Sequence, residues 1–259
     1  ERVPVFSHGL GNPFKLLNLK KPDEMVFMPT AGTVDQAVYM EKEGADAVIV
    51  HGFEGGGHVG HIASSVIIPK AAECLRVPVI ASGGFCDGRG LASALALGAA
   101  GIAMGTRFFA TQECPVHSRA KDAVIRVSEK EAIVTQKIDG LRLRGIPGSL
   151  LKHYRGWPSR PWEVIPGILN NAKGSKISVR EMLRIIIEFR RYRMPAVQFI
   201  CGCARFRHTF SEGRVDDGFT VSGQVAGRIH DIPCCQELIE RIVREAEETI
   251  KSLHQNLAV

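Results

Sequence analysis

Five short apolar runs recur through about the first 110 residues, and each closes on a glycine-bearing loop. They are Val3 to Ser7 before Gly9, Met25 to Pro29 before Gly32, Ala47 to Val50 before Gly52, Pro78 to Ala81 before Gly83-Gly84, and Gly101 to Met104 before Gly105. None alternates apolar with polar residues, so each predicts a strand buried on both faces, as strands of a parallel sheet are. Helix-like segments fill the intervals: Asp35 to Glu43, Ser65 to Leu75 and Arg89 to Leu97. Gly44 and Gly98 stand where helices stop, and Asp87 stands where a helix begins. A repeat of about 20 to 30 residues per unit is the spacing of βα units. The expected fold class is therefore α/β, with about five such units in this part of the chain.

The remainder differs. Gly145 to Gly174 carries Pro147, Pro158, Pro161, Pro166 and both tryptophans, and reads as an irregular excursion. Ile177 to Tyr192 reads as a basic helix, Phe210 to Gly227 as loop, and Cys235 to Leu253 as an amphipathic terminal helix through Leu238, Ile239, Ile242, Ala246 and Ile250.

The third strand runs into Gly52-Phe53-Glu54-Gly55-Gly56-Gly57-His58-Val59-Gly60. Glycines this dense allow close approach of backbone to a ligand, and a histidine among them can take or give a proton near neutral pH. Two further loops, Ser82-Gly83-Gly84-Phe85 and Met104-Gly105-Thr106-Arg107, follow successive strands. In (β/α)8 barrels a phosphate commonly sits between the loops after the last two strands, held by backbone N–H groups. Gly83, Gly84 and Gly105 supply that close approach, Thr106 a hydroxyl and Arg107 a charge. Tight βα turns alone would also use glycine here. No GxGxxG fingerprint is present, which disfavours a Rossmann dinucleotide site.

Taken together, Glu54 to Gly60, Pro78 to Gly84, Asp87-Gly88-Arg89-Gly90, Leu97 to Phe108, Glu212-Gly213 and Gly223-Gln224-Val225-Ala226-Gly227-Arg228-Ile229 resemble the nitronate monooxygenases, formerly called 2-nitropropane dioxygenases. The FMN-dependent enoyl-ACP reductases II are close relatives of that family. The resemblance implies an FMN-binding (β/α)8 TIM barrel with a mostly helical C-terminal segment added. It implies that Ser82, Gly83, Gly84, Gly105 and Thr106 hold the FMN phosphate, and that Gly56, Gly57 and Gln224 lie near the flavin. His58 matches the family's catalytic base, which takes the acidic α-proton of a nitroalkane or orients a nitronate. His51, His61 and Glu54 are expected to pack or hydrogen-bond. The resemblance further implies three segments: 1–120 as the C-terminal part of the barrel, 121–209 as an irregular and helical insertion, and 210–259 as a closing flavin-side loop with a terminal helix.

Two departures stand out. Gly55 and His51 replace residues more usual in the family. About three βα units that family barrels carry before the strand at Val3 are missing, and five strands of eight cannot close a barrel. A fragment, a barrel completed by a partner chain or by a second copy, and a non-catalytic remnant are the expectations this raises. An enoyl-thioester reductase using NAD(P)H is the alternative activity.

The remaining features exclude more than they identify. A net charge of +6, with basic residues not interleaved with aromatic ones, gives no nucleic-acid pattern. No apolar run approaches the roughly 20 residues that span a bilayer. Seven cysteines without a CxxC pair support neither a zinc ribbon nor a dithiol site, so no metal is expected, and they suit a reducing, cytoplasmic compartment. The expected ligand is a small molecule.

Overall fold

The computed structural model describes residues 3–9, 25–151, 202 and 205–257. Its contacts group into two units: Glu1–Gly55, Val59–Glu113 and Ile232–Val259 form the first, and Gly56–His58 with Cys114–Asp231 the second.

The first unit holds a five-stranded parallel sheet: β1 (Val5–His8), β2 (Val26–Ala31), β3 (Val48–His51), β5 (Val79–Ser82) and β6 (Gly101–Ala103). Every pairing is parallel, and each new strand adds to the same side of the sheet in chain order. That progression is the winding of a TIM barrel. A doubly wound sheet would reverse its order at a switch point. Among the described residues the sheet does not close on itself.

Helices α1 (Val34–Lys42), α2 (Ser64–Cys74) and α3 (Gly88–Ala96) connect the strands. Thr33 caps α1 by accepting from Gln36 N at 3.2 Å, and Asp87 caps α3 by accepting from Gly90 N at 2.9 Å. Val48, Val50, Val79 and Ala81 of the sheet meet Ile67, Ile68 and Ala71 of α2 in one buried core. Each of the larger side chains contributes about 1.5–3 kcal/mol by leaving water.

The terminal helix (Cys235–Leu257) joins this unit through Leu238, Ile242 and Ala246, a buried stripe at one residue per turn. It lies so close to α3 that a Cβ on Gly88 would come within 2.4 Å of Ala246 N. Glu245 Oε2 accepts from Gly88 N at 3.0 Å, satisfying a donor at the start of α3.

The second unit is built on an antiparallel sheet. Strand β8 (Leu143–Pro147) takes β7 (Ile133–Thr135) along one edge and β4 (Gly57–His58), then β9 (Phe219–Val221), along the other. Two sequence expectations are corrected here. Gly145 to Pro147 belong to a strand rather than to an irregular excursion, and Phe210 to Gly227 contains both β9 and a 3₁₀ turn, Gln224–Arg228. The glycine and the proline that suggested a loop have other reasons. A Cβ on Gly145 would lie 2.4 Å from the Phe219 ring, so the ring's packing excludes a side chain, while Pro147 ends the strand. The expected basic helix and the remainder of the Pro/Trp-rich stretch fall outside the described residues. Among the described residues no helix is long and apolar enough to cross a membrane.

Candidate active site

The register of the first unit aligns three strand ends. His51 pairs with Ser82, and Ser82 with Ala103, so the loops that begin at Gly52, Gly83 and Met104 leave the same carboxyl edge side by side. Gly83 and Gly84 have φ of 98° and 85°, which a side chain resists. At Gly83 space also forbids one, because a Cβ would stand 2.9 Å from Gly52 O and 3.2 Å from Gly55 N. This turn is thus pressed against the glycine-rich loop. Gly84 is exposed, and the Cβ direction of Gly105 meets nothing within 4 Å. Gly105 leads into a short helix, α4 (Thr106–Phe109), whose Thr106 is buried.

Those turns are stapled from below. Glu54 Oε2 accepts from Ser64 N and Ser64 Oγ, both at 2.9 Å, at the start of α2. Ser64 Oγ also lies 2.8 Å from Gly83 O. A carboxylate at a helix N-terminus is favourably placed, and here it fixes one end of the glycine loop to the neighbouring turn. His51 Nδ1 lies 3.0 Å from Ser82 Oγ, and its ring fills the space where a Gly55 side chain would stand. Glu54 and His51 thus have the bonding and packing roles expected of them, and His61 is exposed. Arg107 departs from its expected role as a phosphate cation: it is buried and its Nη2 donates to Ala110 O at 3.0 Å.

The other half of the loop belongs to the second unit. Gly57 has φ of 80° and pairs with Arg144, and His58 pairs with Leu143. A Cβ on Gly56 would come within 2.6 Å of both Gly223 N and Ser222 C, so Gly56 is packed directly on the segment that leads into Gln224. The fold therefore brings Gly56, Gly57, His58 and the approach to Gln224 together around β4 and β9. His58 Nε2 lies 2.7 Å from Asp139 Oδ2, with the imidazole side chain 29% exposed and the aspartate buried. Asp139 was missed in the sequence. Its only signal is the Asp139-Gly140 dipeptide, which marks a turn, and nothing local ties that turn to a histidine 81 positions earlier.

The strand order of the first unit, with glycine turns along its carboxyl edge, is that of an α/β fold of the TIM-barrel type. Residues 1–245 match the profile of the nitronate monooxygenase family. A curated protein of Rhodococcus jostii (strain RHA1), (3aS,4S,5R,7aS)-5-hydroxy-7a-methyl-1-oxo-octahydro-1H-indene-4-carboxyl-CoA dehydrogenase, is 33% identical over 272 residues, covering 98% of this chain and 73% of that protein. A probable nitronate monooxygenase of Staphylococcus aureus (strain MRSA252) is 34% identical over 158 residues, 56% of this chain and 44% of that protein. FabK from Thermotoga maritima superposes with a TM-score of 0.73 at 31% identity, covering 98% of this chain and 71% of that one. The chain belongs to the nitronate monooxygenase family. It is accordingly an oxidoreductase of a flavin-dependent kind, with a TIM-barrel fold whose sheet is not closed among the described residues.

Proposed function

We propose that the chain binds FMN and oxidises nitronates with O2, with His58 as the base that forms the nitronate when the neutral nitroalkane is the substrate. The observation that carries this reading is the partly exposed imidazole of His58 in the glycine loop, held by a buried carboxylate. The residues present fit the cofactor. Gly84 is exposed and the Cβ direction of Gly105 is open, so both offer backbone to a phosphate, with Thr106 next in the chain after Gly105. In the second unit Ser222 Oγ is buried with no hydrogen-bond partner, next to the Gly56 backbone and two residues before Gln224. A polar group left unsatisfied costs about 1–3 kcal/mol, and a bound group at this loop would relieve it.

A bound flavin would supply a two-electron acceptor that O2 can reoxidise. The chain's residues do the rest. His58 takes the α-proton of a nitroalkane, whose carbon is acidic because the nitro group delocalises the resulting charge, and the imidazolium formed then faces that anion. Gly56 and Gly57 admit the ligand to backbone distance. The Glu54–Ser64 staple keeps the loop from drifting, and small displacements of a reacting group are costly in rate. Gly83, Gly84, Gly105 and Thr106 hold the phosphate through N–H and hydroxyl donors.

A second reading has its own support. The Rhodococcus relative acts on a carboxyl-CoA, and FabK shares the fold at 31% identity. On this reading the same site reduces or oxidises an acyl thioester with a nicotinamide partner, and His58 serves that substrate. Purified chain incubated with FMN should retain a yellow chromophore through desalting and consume O2 on addition of propyl-2-nitronate. If it retains the chromophore but NADPH bleaches it anaerobically while the nitronate leaves it yellow, the thioester reading replaces this one. A chain that stays colourless with excess FMN would rule out both.

A further inference from the structure

A histidine base has two ring nitrogens, and only the one without a proton can accept. We infer that Asp139 is the positioning residue that fixes this choice: it holds the proton of His58 on Nε2 and so leaves Nδ1 as the accepting atom. The inference rests on the reading of His58 as the base.

Both oxygens of Asp139 are engaged. Oδ1 accepts from Leu141 N at 3.0 Å, an Asx turn closed over Gly140, whose φ is 89°. Oδ2 lies 2.7 Å from His58 Nε2. An ionised carboxylate only accepts, so the shared proton belongs to the imidazole, on Nε2. The carboxylate is held from several sides. The antiparallel register sets His58 opposite Leu143, just beyond this turn. A Cβ on Gly202 would come within 2.7 Å of Asp139 Cβ, so the aspartate is also backed closely. Asp139 is fully buried whereas His58 is partly open, so a substrate meets the imidazole and not the carboxylate. A carboxylate that orients a histidine and sets its tautomer raises its effectiveness without itself reacting.

The amide D139N separates this role from simple bracing, because the Leu141 N–H dictates how an asparagine would sit. Its Oδ1 stays on Leu141 N–H, which turns the side-chain NH2 toward His58 Nε2. That nitrogen must then accept, and the proton moves to Nδ1. The test is the ¹⁵N spectrum of histidine-labelled chain at neutral pH, with the His58 signals among the nine histidines assigned by their loss in H58N. The expected result is the Nε2–H tautomer in the wild type and a majority Nδ1–H form in D139N. With a nitroalkane substrate, kcat/KM should fall about 10²–10⁴-fold in D139N, with little change in KM. H58N/D139N should be no slower than H58N.

An Nδ1–H tautomer in the wild type overturns the inference, and that measurement stands even if D139N does not fold. An unchanged tautomer in folded D139N overturns it equally, whatever happens to the rate, since Asp139 would then merely brace the loop. If the tautomer switches as expected but the wild type oxidises no nitro compound, the proposed reaction fails and the positioning role survives.

Discussion

The parallel sheet of the first unit and the antiparallel sheet of the second contribute different things to one glycine loop. The parallel sheet adds its strands in chain order, and its turn at Gly83 needs the positive φ that glycine adopts without strain. The antiparallel sheet gathers segments from residues 57, 133, 143 and 219 around β8, and from it comes an imidazole held by a buried carboxylate. His51 and His58 show the contrast within seven positions of chain. The first is tied to Ser82 and roofed by Gly55, and the second is tied to Asp139 and partly open. On the proposed function, ligand holding would rest on local glycine turns and proton transfer on long-range pairing.

That division should be visible in mutants. H58N should lower kcat/KM for a nitroalkane by about 10²–10⁴-fold, the usual worth of a positioned base, while FMN binding measured by fluorescence stays within a few fold. G83A should do the reverse. An alanine there must adopt φ near 98° and press on Gly52 O, so we expect a loss of about 1–3 kcal/mol in urea denaturation together with weakened FMN binding. If G83A bound FMN normally yet lost turnover, the assignment of functions to the two units would be reversed.

E54Q should act more mildly. It removes a charge from the start of α2 and weakens the bonds from Ser64, for an expected loss of about 1–2 kcal/mol in urea midpoint analysis. The smallest effect belongs to the second unit away from the site. Burial and the Arg214 guanidinium hold His208 below its ordinary value of 6.5, with Asp217 opposing them. The folded state therefore resists protonation that the unfolded state accepts. Stability contributed by the neutral ring is present above pH 6.5 and is lost as the pH falls below it. The ring is 25% exposed and its charged neighbours oppose one another, so the effect is small. Urea midpoints at pH 5 and 7.5 should differ less in H208Q than in the wild type.

Much of the first unit was legible in the sequence because its signals are local. The apolar runs, the cap at Asp87 and the glycine stops at Gly44 and Gly98 each report on a few neighbouring residues, and the strands fall within a residue or two of their expected places. The second unit hid its strands. β4 has two residues among five glycines, and Gly145 and Pro147 signal a break until the Phe219 ring is seen to occupy the missing side chain's place. The pairing of His58 with Asp139 depends on β4 meeting β8, and no periodicity in either segment encodes it.

The most direct test of the account is anaerobic stopped-flow bleaching of the FMN-loaded chain by 2-nitropropane and by its preformed anion, in the wild type and in H58N. A nitronate has already lost its proton, so a true base matters for the neutral substrate above all. H58N is expected to slow bleaching by 2-nitropropane about 10²-fold or more and to slow bleaching by the anion far less. Equal slowing with both substrates, or none with either, would contradict it.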